Sequence, residues 1–578
     1  MQISVASFVA TARARADSLC LQGARAGQSV AIVSATDLGL IEALFACFWI
    51  GAIPCLCDAQ TPKKQLEEQL DALAPTFVWD RSGDAPNTLV KRGSGIEPSV
   101  RRGSGIESSR SSSDRSRAAP TSRATPAFMA ARDPGMILPT SGSEGVPKLC
   151  KVSLGRLILG GHGFGRLLMQ LDRESIVYCP LPLTHATALM GGVFASLVCG
   201  ASIYVPKRFS ASRFWHDVQS ARATHGLYVG EMLRFVLARA GLPKTSTIRR
   251  WVGNGLDRGT WLKLSEALPR TRIVEFYGAT ELSALVVNLS GRVGAMGRVP
   301  FRPWSRFRVA RHSDERNGAV PPSTDERDDA VSPSIDVEQS RNVRTARVDT
   351  EANLPARESR EASAEVRVWK ECAVGEPGEL LIEIPRRRFP LLGGFEGYVN
   401  RAHESNALLR DVFAKGDLYY RSFDVVHYDR DDFFYFVDRA GDLWRHRGHN
   451  VSTSWVASRL RECPEVDDCV VIPLRIDESP HRVGLAVVVT AEPARLSALE
   501  RTLTELPSYA RPEIIALTRQ LERTETFKLR RAKYRDVEGL APFANDALYR
   551  WRGRLEPFEF VEWPEVRRRL LADDDSRR

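Results

Sequence analysis

No C-x-x-C pair and no His/Cys cluster at zinc spacing occurs among the ten cysteines of this chain. A structural zinc site and a disulfide framework are therefore not expected. Cys55 and Cys57 are two apart, so on a strand they share a face, and most of the other cysteines sit in apolar runs as small buried hydrophobes. A reducing cytoplasm is the compartment that suits such usage. Also missing is a charged N-terminal region followed by a hydrophobic core, so no secretory signal is expected. Long uninterrupted apolar runs are lacking too. Leu38–Cys57 carries Glu42, Gly51 and Pro54, and Thr187–Val205 is broken by glycines, so each predicts a buried helix turning into a buried strand. Lysine is scarce beside arginine in a net charge of +10. The basic residues are spread along the chain among acids, which argues against a nucleic-acid surface. The balance favours anionic substrates and acidic membrane surfaces, hence peripheral membrane contact.

What is present is enough for more than one domain: 578 residues with 43% apolar content. Residues 5–57 read as helix, strand (Ser29–Val33), helix and strand, the rhythm of a parallel α/β sheet. Between 91 and 123 a polar decamer repeats, Val90-Lys-Arg-Gly-Ser-Gly-Ile-Glu and again from Val100, followed by a Ser/Arg run. Such a tract cannot bury enough apolar surface to offset chain ordering and is expected to be a disordered insertion. Residues 313–365, rich in both charges with Pro and Ser, are expected to be a second one. After Gly441 a smaller α/β unit is expected, with strands at Cys469–Pro473, Val483–Thr490 and Ile514–Thr518 and a helix from about Leu496. The tail, 543–578, alternates apolar and acidic residues at Phe558–Trp563 and ends basic.

Two segments carry chemistry. In Met136-Ile-Leu-Pro-Thr-Ser-Gly-Ser-Glu-Gly-Val-Pro-Lys148 an apolar strand enters a hydroxyl- and glycine-rich loop. Its backbone N–H groups can form an anion site, with Thr140, Ser141 and Ser143 as further donors and Lys148 as a charge. It is not a Walker loop, because Gly142 and Gly145 are too close and no hydroxyl follows Lys148. In Ile273-Val-Glu-Phe-Tyr-Gly-Ala-Thr-Glu281 a β-branched strand breaks at Gly278 and ends on a hydroxyl beside a carboxylate. Such groups suit an adenine face, a phosphate and a magnesium ion.

These segments resemble the phosphate loop and the Tyr-Gly-x-Thr-Glu motif of the adenylate-forming superfamily. Pro180–His185, Phe209–Trp215, Tyr228–Glu231, Gly253–Leu256, Leu409–Phe413, Phe436–Arg439, Gly448–Thr453, Tyr509–Pro512 and Thr526–Lys528 are similar to its fatty-acid transport protein and very-long-chain acyl-CoA synthetase branch. They occur in family order from about residue 27 to about 535. The family normally carries a further strand before this point, so one sheet edge is expected to pack differently. The resemblance implies a large N-terminal α/β domain of parallel and mixed sheets, 1–440, and a small mobile α+β domain, 441–542, with 543–578 as an extension. It implies ATP-dependent activation of a long- or very-long-chain fatty acid through acyl-AMP to a thioester, with Mg2+ and coenzyme A, or a carrier-protein phosphopantetheine, as the other participants.

By the same resemblance Thr140, Ser141, Gly142, Ser143, Gly145 and Lys148 hold the β- and γ-phosphates. Thr280 touches the α-phosphate and Glu281 holds the metal. Tyr277 and Gly278 lie against adenine, with Gly253, Asn254 and Gly255 opposite. Asp424 and Arg439 hold the ribose, and Lys528 bridges carboxylate and phosphate in the first half-reaction. His185 lines the carboxylate end of the acyl tunnel, Gly441 is the hinge, and Gly448, His449 and Asn450 face the incoming thiol. Departures from the pattern are Glu144 where a hydroxyl is usual, Phe423 where glycine precedes the ribose aspartate, and Trp455 where glutamate is usual. They leave open a non-catalytic acyl- or nucleotide-binding paralogue. Phe423 implies either a rearranged loop or weaker ribose binding.

Overall fold

Ser4 accepts a hydrogen bond from the Ser7 N–H at 3.1 Å and starts the helix Val5–Leu21, while Asp37 does the same for Leu38–Trp49 through Leu40 N–H at 2.7 Å. Between and after these helices run the parallel strands Ser29–Ser34 and Ile53–Asp58. This is the order that the apolar patterning predicts. The computed structural model describes residues 4–81, 88–91, 124, 126–140, 148–282, 285–299, 307–312, 344–346, 367–385, 394–404, 407–446, 449–476, 482–490, 496–523, 531–535, 540, 543 and 548–575.

Among the described residues the large domain is built on three sheets. The first has strands 88–91, 77–80, 29–34, 53–58, 134–140 and 148–153 in that order, parallel in the middle with an antiparallel pair at each edge. The second orders 285–288, 272–278, 250–254, 225–229, 176–178 and 202–204, parallel except for the first pair. Helices lie between these sheets, and one continuous apolar core runs from Ile32 and Leu44 through Phe164, Leu189 and Trp251. A third, antiparallel sheet contains 307–312, 367–371, 378–383, 408–410, 418–428 and 434–439 and joins the same core through Leu380, Val426 and Phe434.

Thr187–Val205 is helical to Cys199 and then forms the strand Ser202–Tyr204, and Leu38–Cys57 likewise turns from helix to strand. No helix among the described residues is long and apolar enough to cross a membrane. Cys55 and Cys57 share one face and are fully buried. The decamer repeat lies outside the described residues from 92 to 123. Of 313–365, Arg344–Ala346 forms a short strand against Arg367–Glu371, and the rest lies outside them.

The small C-terminal domain is a five-stranded sheet, 468–475, 482–489, 514–518, 548–551 and 555–557, preceded by the hairpin 443–446/449–452. Thr453–Leu460 and Ser497–Glu505 cover one face. The other face is covered by the tail: Trp563, Val566 and Leu570 of the helix Trp563–Asp575 pack with Ile472, Leu485 and Ile514. Residues 548–575 thus complete the small domain's sheet and second core, which accounts for the tail's apolar spacing.

Candidate active site

The strand Arg272–Gly278 ends beside a cavity of about 1950 Å³. Its exit carries Tyr277, Gly278, Thr280 and Glu281 into the cavity lining. Arg156, itself buried, donates to the carbonyls of Thr280 and Leu282, the latter at 2.7 Å, and fixes the turn from the large-domain core. The Glu281 carboxylate is buried and accepts the Tyr398 hydroxyl at 3.0 Å, and Lys148 Nζ stands 5.7 Å from the centre of the Tyr398 ring. Thr140 at the end of its strand donates to the Lys148 carbonyl at 3.2 Å, closing the neck of the loop between them. Ser141, Gly142, Ser143, Glu144 and Gly145 lie outside the described residues.

Across the cavity, Tyr277 donates to Asp424 Oδ2 at 2.7 Å and Arg439 Nε lies 3.2 Å from Asp424 Oδ1. Burial and then the Asp424 charge push the Tyr277 phenol well above its ordinary range, so it remains a donor. The Asp424 charge likewise raises Arg439. Phe423 occupies the left-handed region at φ +59°, the conformation that glycine adopts without penalty. With Phe423 in this conformation, Asp424 stands beside Tyr277.

Gly255, at φ +74°, follows Gly253 and Asn254 at the end of the strand Arg250–Asn254. A Cβ at Gly253 would come 2.2 Å from the Tyr228 carbonyl, so only glycine fits there. Glu275 holds this turn from below: its buried carboxyl accepts Tyr228 O–H at 2.6 Å and the N–H groups of Gly255 and Leu256 at 3.0 Å each. Burial pushes Glu275 up to about 8, against these three hydrogen bonds. Asn254 and Gly255 line the cavity with Tyr277.

A further part of the lining is apolar: Leu159, Phe164, Leu168 and Met190, together with His185. The four apolar residues come from two helical stretches that each contain a wide π-type turn, Gly163–Met169 and Ala188–Phe194, a feature frequent at functional sites. Gly441 lies in the turn Ala440–Asp442 with open space around its Cα, and it too borders the cavity. The neighbouring Asp442 is buried and accepts Arg531 at 2.9 Å and Arg535 at 2.8 Å. His449 and Asn450 belong to the strand His449–Ser452. Gly448 and Lys528 lie outside the described residues. Trp455 packs against the small-domain core, its N–H capped by Ser452 at 3.1 Å.

Tyr398, Arg156, Glu275 and Asp438 were not singled out by the sequence reading. Asp438 is 1% exposed and accepts the hydroxyls of Ser452, Thr453 and Ser454 and the Ser454 N–H. It thereby ties the strand Phe434–Arg439 to the start of the first small-domain helix. Local patterning offers no sign of such contacts, because each partner is remote in sequence. A carboxylate in the middle of a β-branched run, as at Glu275, is the one local hint.

A cleft bounded by a glycine turn and a buried carboxylate, beside a smaller second domain, sets the class of fold. The chain belongs to the AMP-binding enzyme family, whose profile matches residues 1–323. It is 30% identical over 420 residues to long-chain fatty acid transport protein 6 of Mus musculus, an alignment covering 71% of this chain and 60% of that protein. With the medium/long-chain-fatty-acid–CoA ligase FadD6 of Mycobacterium tuberculosis it shares 29% identity over 452 residues, 77% of this chain and 67% of that one. The chain spans 60%, 56% and 60% of the length of the mouse and human transport protein 6 and the rat transport protein 2. Among solved structures, O-succinylbenzoate coenzyme A synthetase of Bacillus subtilis in complex with AMP aligns at TM-score 0.65 and 18% identity, covering 93% of this chain and 94% of that one. That likeness shows the fold.

Proposed function

We propose that this chain is a Mg-ATP-dependent carboxylate–thiol ligase that activates a long- or very-long-chain fatty acid as acyl-AMP and passes the acyl group to coenzyme A. The observation that carries this reading is the single cavity lined both by the Tyr277–Asp424–Arg439 cluster and by the apolar set Leu159, Phe164, Leu168 and Met190. Asp424 accepts a hydrogen bond from Tyr277 and stands in an ion pair with Arg439 at the cavity lining, where a carboxylate would accept ribose hydroxyls. Tyr277 and the Gly253–Gly255 turn would flank adenine, and Thr280 would meet the α-phosphate. Among the described residues no group of three or more metal-binding side chains occurs. The lone carboxylate of Glu281 suits magnesium, which is usually held by one or two carboxylates together with substrate phosphates. Bound there, magnesium would balance phosphate charge. His185 would line the acyl carboxylate end, Lys528 would join carboxylate to phosphate, and Gly441 would serve as hinge for a mobile small domain.

The acceptor is proposed as coenzyme A, with carrier-protein phosphopantetheine as the alternative, reached through Gly448, His449 and Asn450. The names of the transport-protein and ligase relatives support the fatty-acyl substrate. The net charge of +10 supports peripheral contact with acidic membranes from the cytoplasm. ATP–pyrophosphate exchange across a panel of carboxylic acids tests the reading: exchange stimulated by long-chain acids is expected. Nucleotide binding without exchange for any acid would replace it by the non-catalytic paralogue that the departures at Glu144, Phe423 and Trp455 leave open.

A further inference from the structure

The strand Leu418–Tyr428 breaks register with Gly378–Glu383 at the point where Asp424 turns toward the cavity. Pairing passes from Glu379↔Val425 to Leu381↔Arg421, so the longer strand bulges over Ser422, Phe423 and Asp424. Such bulges re-aim side chains, commonly next to active sites. Here the bulge contains a bulky residue at positive φ, a conformation that persists only where its surroundings over-determine it.

Those surroundings are specific. The Glu379 carboxylate, 7% exposed, accepts Arg421 Nε at 2.7 Å and Nη2 at 2.8 Å, a two-pronged pair. Its Oε1 also accepts the Phe423 N–H at 3.2 Å. The Arg421 guanidinium lies 4.5 Å from the centre of the Phe423 ring and 5.4 Å from that of Trp369. Phe423 is thus held by its backbone and by its ring through one ion pair. A glycine at this point would need neither hold.

We propose that Glu379 and Arg421 are positioning residues for the nucleotide: they clamp Phe423 in the left-handed conformation and so aim the Asp424 carboxylate at the ribose. The proposal rests on the reading of Asp424 as the ribose ligand given above. Neither clamp residue is part of the cavity lining. Their contribution is to a backbone direction that the Phe423 side chain itself opposes.

The test is a binding cycle on the full chain, with calorimetric Kd values for ATP and for 2′,3′-dideoxy-ATP. Glu379→Gln is expected to weaken ATP by about tenfold and leave the dideoxy nucleotide nearly unchanged. In the Phe423→Gly background the same substitution is expected to cost no more than about twofold, because glycine holds positive φ unaided. Arg421→Lys, which keeps the charge and loses the fork, is expected to follow Glu379→Gln and serves if that variant does not fold. An equal loss with and without Phe423, or no loss of ATP affinity in either variant, overturns the clamp. A native chain that binds both nucleotides equally removes Asp424 from the ribose, and the proposal with it. A native chain that discriminates between them but forms no acyl-adenylate defeats only the ligase reading, and the binding cycle then decides the clamp by itself.

Discussion

The Tyr277 hydroxyl reaches Asp424 Oδ2 across 2.7 Å and joins two residues 147 positions apart in the chain. One lies at the end of a parallel strand, the other in the bulge of an antiparallel sheet. Removing the hydroxyl in Tyr277→Phe keeps the ring face and leaves the ion pair of Asp424 with Arg439 in place. We expect KM for ATP to rise by about tenfold, as for loss of a hydrogen bond to a charged group, with little change in kcat. Steady-state kinetics at saturating acid measures both, and a fall in kcat at constant KM would oppose the assignment.

Glu281→Gln should raise the magnesium requirement and sharply lower turnover, because a neutral amide is a poor ligand for a hard cation. Tyr398→Phe removes the hydrogen bond to Glu281 and keeps the charge, so a smaller shift in the same direction is expected. A magnesium titration of both variants checks the order. An unchanged curve for Glu281→Gln would take this residue out of the metal site.

Glu275 supplies a pH signature. Its carboxyl is raised from an ordinary 4.5 to about 8 in the folded chain, chiefly by burial. Between those values the unfolded state has lost a proton that the folded state keeps. Stability contributed by this group is therefore full below about 4.5 and declines as pH rises toward about 8. Urea unfolding from pH 5 to pH 8 should show that decline, and Glu275→Gln should flatten it. A slope that survives the substitution would have another source.

Asp468 sits at the contact between the two domains, where it accepts Arg234 Nη1 at 2.7 Å and also pairs with Arg523 and Arg461. Arg234 and Arg523 both reach Glu231 of the large domain at 2.6 Å. Burial raises the Glu231 carboxyl, but the charges of Arg234, Arg461 and Arg523 outweigh it and hold the group down at about 2. Asp468→Asn leaves three arginines around one carboxylate and should destabilise the contact by about 2 kcal/mol, below the range for fully buried pairs because these side chains are partly exposed. High salt should narrow the difference between variant and native chain in urea unfolding. If salt leaves the difference unchanged, the loss comes from packing and not from charge.

Lys528→Ala should abolish adenylation and spare thioester formation from preformed acyl-adenylate, since an ammonium there balances charge only in the first step. Separate assays of the two half-reactions check this. Equal losses in both would make the lysine structural.

Much of the fold was legible from spacing alone. The helix–strand alternation of residues 5–57, the strands entering Thr140 and Tyr277, and the small-domain strands 468–475, 482–489 and 514–518 all follow from apolar periodicity, which depends on near neighbours in the chain. The tail's alternation at Phe558–Trp563 showed that it had an apolar side, but only packing assigned that side to the second face of the small sheet. Family-ordered motifs named Tyr277, Glu281, Asp424 and Arg439 because those residue types recur at recognisable places. They could not show Tyr398 on Glu281, Arg156 on the carbonyls of Thr280 and Leu282, or Glu275 under the glycine turn. Each of these joins residues brought together only by the stacking of separate sheets. Phe423 illustrates the division best. The sequence by itself determined that a bulky ring stands before Asp424. The tertiary structure decided that the backbone there remains left-handed, because a buried carboxylate 44 residues upstream holds both the Phe423 N–H and the arginine against its ring.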